Sequence, residues 1–337
     1  TGDLRLVEEL REPMHMALEW VRRHGDINGD GFLEYQSRSS RGLRNQGWKD
    51  SANAVCWRDG EVVETPIAPV EAQGYGYDAR VRVAELLAAT GEGDLAAELL
   101  AEAAVLKEQF ERSFWLQEER FLAQALDSCG KAVPVVTSNP GHCLWSGILS
   151  TEKADGVVRR LMAGDMDSGW GIRTMSSLEP GFNPMSYHNG SVWPHDNSLI
   201  VAGLKRYGYR REAERVFTEV YEAASRFGGY RIPELYCGFD RDRHYQSMPA
   251  QYPVSCSPQA WSAGSVFLML QQMLGLRPDA VNSVLYVSPS LPAWLKRLSL
   301  RRLRVGDGSV DLTFVSDGKK VHVDVHRAEN LKVIQEP

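Results

Sequence analysis

A succession of helical patterns limits this chain to helix-on-helix packing over most of its length. Apolar side chains in residues 94–115 recur at spacings of three and four: Leu95, Leu99, Ala103, Leu106, Phe110 and Phe114. This spacing predicts one buried face on a helix of about 20 residues. Similar patterns occupy residues 4–21, 79–89, 157–162, 198–207, 213–227 and 258–274. We expect about ten helices in all.

The pattern changes near Asn282. From there onward apolar and polar residues alternate, and Asp317-Gly318 is typical of a turn between two strands. We therefore expect a helical domain over residues 1–280 and, packed on it as a cap, a small antiparallel β-sheet over residues 281–337. Strands and helices do not alternate and no GxGxxG occurs, which argues against a doubly wound nucleotide-binding fold.

The connections between the helices decide which helical architecture is expected. Helical periodicity alone is equally compatible with an irregular bundle and with an α/α toroid. In this chain the long connections hold the Gly-rich, polar and aromatic segments, including Trp48, Trp170 and Trp193. Long loops that gather at one end of a toroid form a cleft there, so we expect a mainly α fold of the toroid type.

Charge and composition narrow the class of ligand. The net charge is −6 without a basic run, so we expect neither nucleic acid nor an anionic membrane as a partner. Five cysteines without a CxxC pair indicate free thiols in a reducing compartment, and no apolar run is long enough to cross a bilayer. We therefore expect a cytoplasmic protein. Nine Trp and 12 Tyr suit the faces of sugar rings, although core packing explains any single Trp about as well.

The stretch DINGDGFLEY, residues 26–35, resembles the start of an EF-hand calcium loop. Gly31 is sixth, but the twelfth position, where calcium requires a bidentate Glu, is Ser37. The chain is therefore not expected to be a calcium sensor. Two interpretations remain open, a structural calcium ion or Asx-type turns without an ion. The oxygen-bearing residues concerned are Asp26, Asn28, Asp30 and Glu34.

Two carboxylates stand apart from the solvated surface. Asp50 follows Gly47, Trp48 and Lys49 in a segment without an amphipathic period, and Glu234 follows a proline among apolar residues. A carboxyl group beside Trp and apolar groups can stay protonated near neutrality and act as a general acid, while a second carboxylate deprotonates water. The alternatives are structural: Asp50 caps a following helix, and Glu234 forms a buried salt bridge.

Three further segments combine hydrogen-bonding and aromatic groups, as a polar ligand requires. Residues 168–174, 187–197 and 257–264 contain the candidates Trp170, Arg173, Tyr187, His188, Trp193, His195, Gln259 and Trp261. His188 and His195 are seven apart without a third clustered ligand, which does not support a zinc site. Loop pinning or helix capping by these histidines remains open, as does core packing by Trp261.

Six segments together resemble one known family. DGFLEY…GLRNQGWKDS, VEAQGYGYDA, SGWGIRT, NPMSYHNGSVWPHDN, PELYCGF and YPVSCSPQAWSAG occur in the order found in bacterial proteins of the amylo-α-1,6-glucosidase family, the C-terminal domain of glycogen debranching enzymes. The resemblance covers residues 1 to about 314. It implies an (α/α)6 toroid related to the inverting glucoamylase-like and trehalase-like hydrolases.

The resemblance also implies roles for single residues. Asp50 in GWKDS matches the general acid, and Glu234 in PEL matches the general base. The residues that would line the sugar pocket are Gln46, Trp48, Lys49, Trp170, Arg173, His188, Trp193 and His195. The acidic loop comes just before GWKDS, where it would fix the direction of Asp50 with or without calcium.

The chain departs from this family at its start. A GRD-type segment that grips the sugar and an N-terminal β-rich domain are usual in the family, and neither is present here. Either the estimate of about ten helices is too low, or the chain is the C-terminal part of a longer protein. In the second case the toroid lacks its first helices, a missing N-terminal segment is its partner, and the chain alone has little activity.

These observations predict an inverting α-glycosidase of the debranching type, acting on α-glucans or α-glucosides without a required cofactor. One alternative is a hydrolase of a small α-glucoside such as trehalose or a glucosyl-glycerate. Another is a sugar epimerase that uses His188 and His195 as its acid–base pair. The last is a glycan-binding chain without activity, which a truncated toroid would favour.

Overall fold

A computed structural model describes residues 1–242, 244–245 and 247–336, and within them it contains eight α-helices. They are α1 (Leu4–His24), α2 (Val70–Ala89), α3 (Gly93–Ser113), α4 (Pro140–Ser146), α5 (Thr151–Leu161), α6 (Pro194–Arg206), α7 (Arg210–Ala224) and α8 (Ala260–Leu274). Each predicted helical pattern corresponds to one of them. The remaining helix, α4, has seven residues and is too short to show a period.

Helix α2 begins at Val70, although its apolar period predicts a start near residue 79. Gly74 and Gly76 interrupt the apolar pattern, yet both are buried where α2 meets its neighbours. A Cβ atom at Gly74 would lie 2.9 Å from the hydroxyl of Ser146, and one at Gly76 would lie 2.8 Å from Leu33. These glycines permit close packing, a requirement that hydrophobic periodicity does not register.

The helices form two layers. Successive members of the first layer, α2, α4, α6 and α8, contact one another, while α3, α5 and α7 each pack on the helix that precedes them. Six of the seven residues of α4 and ten of the 13 residues of α6 are buried, as an inner layer requires. Helix α1 has no buried residue and joins the outer layer through ion pairs of Arg22 with Glu98 and Glu102 of α3.

Short and long connections alternate along the chain. Residues 90–92, 147–150 and 207–209 form the short ones, and residues 25–67, 114–139, 162–193 and 225–259 lie between the other helices. Because each short connection reverses the chain direction between neighbouring helices, the long connections emerge at the same end. The helices and connections alternate in a two-layer packing, and the closed toroid remains a prediction.

Short strands brace two of the long connections. Strand β1 (Ala68–Pro69) pairs antiparallel with β4 (Ala125–Leu126), and β2 (Trp115–Leu116) pairs antiparallel with β3 (Phe121–Leu122). A 3-10 turn over Gly228–Tyr230 follows α7. The start of α2 is thereby tied to the connection that precedes α4.

The chain ends in two small sheets. Strands β5 (Arg277–Asp279), β6 (Val284–Val287) and β10 (Lys332–Gln335) form the first, and β7 (Arg297–Val305), β8 (Gly308–Ser316) and β9 (Val321–Glu329) form an antiparallel meander. The predicted turn at Asp317-Gly318 joins β8 to β9. The prediction is wrong in one respect: β10 returns beside β6 in the parallel direction. Strands begin at Arg277 rather than near residue 281, and Pro337 lies outside the described residues.

One hydrophobic cluster joins this cap to the helices. Leu312 and Phe314 of β8 belong to the same buried cluster as Phe217 of α7 and Met273 of α8. Strand β8 therefore shares a buried core with helices α7 and α8. All five cysteines are free. Among the described helices, none has both the length and the apolar character needed to cross a membrane.

Candidate active site

Three of the long connections meet at Tyr187 and His188. Asp50, in the connection 25–67, places its Oδ1 atom 3.9 Å from Nδ1 of His188. Glu234, in the connection 225–259, accepts a hydrogen bond at Oε1 from the hydroxyl of Tyr187 over 2.8 Å. The rings of Tyr187 and His188 are 4.6 Å apart, centroid to centroid. The two carboxylates that the motifs single out thus contact one dipeptide.

Glu234 is buried and held by hydrogen bonds. The residue is 7% exposed, and its Oε2 atom accepts a hydrogen bond from the backbone N–H of Cys256 over 3.3 Å. Its own N–H donates to the carbonyl of Cys256 over 2.9 Å. Donors on both carboxylate oxygens fix the direction of the side chain. The described residues around Glu234 therefore supply hydrogen bonds rather than the salt bridge of the structural alternative.

Asp50 lies in different surroundings. Its side chain is 49% exposed, so the expectation of a carboxyl group shielded by Trp48 is wrong for this structure. The chain runs on in turns until α2 begins at Val70, so Asp50 does not cap a following helix either. The physical reason is that Trp48 and Lys49 point inward, which leaves the next side chain at the surface. Solvent and a ligand can both reach the Asp50 carboxyl group.

His188 joins Asp50 to the rest of the site as a neutral side chain. The hydroxyl and the backbone N–H of Ser51 lie 2.7 Å and 3.4 Å from Nδ1 of His188. Because the backbone N–H can only donate, Nδ1 is the acceptor and the ring proton is on Nε2. Burial lowers the pKa of His188 to about 3. Ser51, which the motifs did not single out, thus sets the tautomer of His188.

An aromatic wall, formed by Trp48, His188, Trp193, His195 and Trp261, stands beside this dipeptide. Trp48 meets Trp193 edge to face at 5.7 Å, and Trp193 meets Trp261 in the same way at 5.7 Å. His195 stacks on Trp261 with ring centroids 4.4 Å apart. Burial lowers the pKa of His195 to about 4, so the imidazole in this stack is uncharged at neutral pH. The wall is uncharged throughout, which suits a sugar face.

Only part of the aromatic wall is accessible. Trp261 is 37% exposed, so it does not simply fill the core, and its contact with a sugar remains a prediction. Trp193 and His188 are 0% and 2% exposed, so their predicted role as pocket-lining residues needs correction. Both lie behind the surface. The indole N–H of Trp193 donates a hydrogen bond to the carbonyl of Tyr187 over 2.8 Å, which holds the Tyr187 backbone in place.

A buried polar network behind Trp48 was not predicted. His142 of α4 stacks on Trp48 at 5.4 Å, and its Nε2 atom lies 2.8 Å from Oδ1 of Asp196 in α6. Its Nδ1 atom lies close to the hydroxyl of Tyr75 in α2, at 2.5 Å. Burial opposes the charge on Asp196, but the hydrogen bond and charge interaction with His142 leave its pKa lowered. No sequence pattern indicates this network, because the three residues lie on separate helices.

Lys49 belongs to this buried region and not to the pocket surface. It is 2% exposed, and its Nζ atom donates to the carbonyl of Thr174 over 2.6 Å. The ammonium lies 5.1 Å from the ring centroid of Trp48. Burial lowers the pKa of Lys49 to about 8, while the carboxylates of Asp196 and Glu71 oppose that shift. The predicted contact of Lys49 with sugar is therefore wrong.

Four other predicted pocket residues lie elsewhere. Trp170 is buried in a cluster with Tyr236, and Arg173 is 1% exposed and donates to the carbonyl of Gly238. Both lie in the interior because their loop folds back into the helical body. Gln259 uses its side chain to cap α8, accepting from the N–H of Trp261 over 3.0 Å. The remaining one, Gln46, is exposed and donates to the carbonyl of Leu43.

The acidic loop before Asp50 is closed by its own hydrogen bonds. Both carboxylate oxygens of Asp26 accept from backbone N–H groups of residues 29–31, at 2.7 to 3.1 Å. Oε2 of Glu34 accepts from the N–H groups of Ile27 and Asn28, and the Asn28 amide donates to Oε1. Over residues 1–242, 244–245 and 247–336, no group of three or more His, Cys, Asp or Glu side chains is arranged for a metal ion. This geometry favours the Asx-turn interpretation, and calcium remains a prediction.

Comparison with protein families gives one match over most of the chain. The model of the mannosylglycerate hydrolase MGH1-like glycoside hydrolase domain matches residues 8–246. Mannosylglycerate hydrolases MGH1 and MGH2 of Selaginella moellendorffii are each 37% identical over 108 residues, which are 32% of this chain. Those residues are 22% of each relative, so the chain spans about a fifth of the curated relatives it matches.

Solved structures share the fold at low identity. A sialidase is 14% identical with a TM-score of 0.71, over 96% of this chain and 30% of its own. The GH63 mannosylglycerate hydrolase from Thermus thermophilus in complex with glucose is 19% identical with a TM-score of 0.51, over 62% of this chain and 46% of its own. These likenesses concern the fold alone. The matching family model is that of mannosylglycerate hydrolases, however, and not that of debranching enzymes.

Proposed function

The chain belongs to the family of mannosylglycerate hydrolase MGH1-like glycoside hydrolase domains, and on this premise we propose that it hydrolyses a small α-glycoside with inversion at the anomeric carbon. The favoured substrates are glycosides of a small hydroxy acid, of the mannosyl- or glucosyl-glycerate type, followed by trehalose. Branched α-glucans, which the motifs alone favoured, become the weaker candidate because the matching family is not a debranching one.

The proposed step uses the two carboxyl groups as acid and base. Asp50 gives its proton to the glycosidic oxygen while the bond from that oxygen to the anomeric carbon breaks. Glu234 takes a proton from a water molecule whose oxygen bonds to the anomeric carbon from the opposite face. An inverting site holds its carboxyl groups about 6.5–9.5 Å apart, whereas a separation of about 5 Å implies a covalent intermediate.

The contrast between the two carboxyl groups carries this proposal. Glu234 is buried and fixed by Tyr187 and Cys256, as a base that must aim one water molecule requires. The Asp50 side chain is 49% exposed, so a leaving group can reach it and depart from it. Trp261, 37% exposed and stacked on His195, would offer the apolar surface on which a sugar ring stacks.

The test is a hydrolysis assay on a panel of substrates. The panel contains mannosylglycerate, glucosylglycerate, trehalose, isomaltose and a branched limit dextrin, and NMR follows the anomer released first. We expect the β-anomer from a glycerate glycoside with wild type and with Glu108→Gln, a control at an exposed position of α3. Glu234→Gln should lower the rate of this turnover by about 10³-fold.

Other outcomes of this assay would favour one of the alternative functions. First release of the α-anomer contradicts inversion, and turnover of the dextrin alone restores the debranching function. A free sugar converted to its epimer without release of a second product identifies an epimerase. Binding of glycosides without turnover identifies a glycan-binding chain.

A further inference from the structure

A fully buried lysine beside a candidate catalytic residue needs a reason. Lys49 immediately precedes Asp50 and is 2% exposed. Ammonium groups are seldom buried unless they are paired, because removal of the charge from water is costly. A lysine needed only to fill space would be replaced at lower cost by an apolar side chain.

The ammonium of Lys49 joins two parts of the site. Its acceptor, the carbonyl of Thr174, belongs to a residue whose N–H donates to the carbonyl of Ser191 over 2.9 Å. The Thr174 hydroxyl accepts from the N–H of Gly190 over 2.9 Å. Ser191 and Gly190 follow the dipeptide that contacts both carboxylates. Through Thr174, Lys49 therefore connects the Asp50 loop to the loop that contacts Glu234.

Two carboxylates from the inner helices attract the same ammonium. Glu71 of α2 and Asp196 of α6 favour its charged form, and Asp196 is held in place by His142 of α4. Glu71 in turn accepts a hydrogen bond from the Asn139 amide over 2.9 Å. Both carboxylates that favour the charge on Lys49 are thus themselves held by hydrogen bonds.

Other bonds hold this loop, but they differ from Lys49 in kind. Ser51 contacts His188, and the Asn189 amide donates to the carbonyl of Asn53 over 2.8 Å. Both are partly buried contacts between neutral groups. Lys49 alone among these three anchors brings a charge into the helical body, and charge-assisted contacts in a buried setting are the stronger ones.

We propose that Lys49 is a positioning residue, whose buried ammonium anchors the loop of Asp50 on Thr174 and the inner helices and so aligns the acid with Glu234. The inference rests on the proposed function for its kinetic consequence. Its structural consequence, a loop fixed by one internal cation, is independent of turnover.

The test compares Lys49→Met with Lys107→Met. Met keeps the length and apolar volume of the lysine stem and removes the charge. Lys107 is the matched control because its Nζ atom also donates to a buried carbonyl, that of Leu149 over 3.0 Å. It lies in α3, outside the loop of Asp50. We expect Lys49→Met to lower kcat by about 100-fold with KM changed by less than about threefold, since misplacement of a reacting group by about 1 Å has this effect. Lys107→Met should lower thermal stability and leave kcat unchanged.

Amide hydrogen exchange supplies the readout that does not need turnover. Exchange in the peptide spanning residues 43–54 should rise in Lys49→Met and stay at the wild-type level in Lys107→Met. If wild type cleaves none of the glycosides but the exchange pattern holds, the proposed function fails and the anchor stands. Wild-type kcat in Lys49→Met, or unchanged exchange in that peptide, overturns the anchor.

A second variant covers the case in which Lys49→Met does not fold. Glu71→Gln removes one counter-charge and keeps the side-chain shape. It should lower kcat by about tenfold at nearly constant KM, as loss of roughly 1.4 kcal/mol of transition-state stabilisation does. A folded Glu71→Gln variant with wild-type kcat and wild-type exchange contradicts the proposal.

Discussion

Asp50 and Glu234 contact neighbouring side chains but lie in opposite surroundings. Glu234 is 7% exposed and receives hydrogen bonds on both oxygens, whereas the Asp50 side chain is 49% exposed and lies 3.9 Å from Nδ1 of the neutral His188. The carboxylate of Glu234, the proposed base, is itself fixed by hydrogen bonds. For Asp50, the proposed acid, the two preceding residues are fixed instead: Trp48 by ring contacts and Lys49 by its hydrogen bond to Thr174. Two groups of one proposed reaction are thus oriented by different means.

Replacement on the base side should have the largest effect. In Glu234→Gln we expect kcat to fall by about 10³-fold, within the range of general base catalysis, for every glycoside tested. The reason is that no leaving group, however good, replaces the activation of water. Rates measured on glycosides with good and poor leaving groups check this. An equal rate in wild type and Glu234→Gln would show that Glu234 is not the base.

Replacement on the acid side should depend on the leaving group. Asp50→Asn should lower kcat about as much for a glycerate glycoside, but by less than about tenfold for an aryl glycoside whose leaving group needs no proton. Asp59→Asn, at an exposed position in the same connection, serves as the control. Equal losses on both substrates would mean that Asp50 does not donate the proton.

The two sides should also respond differently to acid. Burial lowers the pKa of His188 from 6.5 to about 3, so the folded protein binds fewer protons than the unfolded chain between these values. Stability from this neutral histidine is complete above pH 6.5 and is lost as the pH falls towards 3, at up to about 1.4 kcal/mol per pH unit. Burial raises the pKa of Tyr187, which stays a phenol throughout.

Urea unfolding as a function of pH checks this difference. His188→Gln should flatten the slope of the unfolding free energy between pH 6.5 and 3, whereas His322→Gln, at an exposed position of β9, should leave it unchanged. An unchanged slope in His188→Gln would show that His188 is not held neutral by burial.

The smallest effect is expected from calcium. Because the carboxylates of Asp26 and Glu34 already accept hydrogen bonds from their own loop, the melting temperature should be the same in EGTA and in calcium. Asp26→Ala should lower the free energy of unfolding by about 0.5–1.5 kcal/mol in either buffer, since exposed backbone donors exchange their acceptor for water. Differential scanning fluorimetry decides: a calcium-dependent rise in wild type that Asp26→Ala lacks would mean that an ion, in addition to Lys49, holds the acid side.

The helical body was largely predictable from sequence, for reasons that its exceptions show. Residues 94–115 repeat their apolar side chains at helical spacing, and α3 occupies Gly93–Ser113. The first turns of α2 were missed because Gly74 and Gly76 serve close packing, and α4 because seven residues contain too few turns for a period. Hydrophobic periodicity detects the apolar face of a helix, but it does not detect a glycine that lets the helix pack closely against its neighbours.

The site was predictable only as a set of segments. The motifs identified Asp50, Glu234 and the aromatic residues, because their residue types suit sugar chemistry. They could not show that Arg173 and Lys49 turn inward, since an irregular loop has no period that assigns side chains to faces. His142 was missed because its partner Asp196 is 54 positions away on another helix.

The contact of both carboxylates with Tyr187 and His188 has a consequence for how such a site changes over time. One peptide bond joins the neighbour of the acid to the neighbour of the base, so an insertion or deletion at this point displaces both together. A change of backbone length here therefore alters the surroundings of Asp50 and of Glu234 at the same time. Laboratory libraries should accordingly randomise positions 187 and 188 together, so that each clone is tested for its effect on both carboxyl groups.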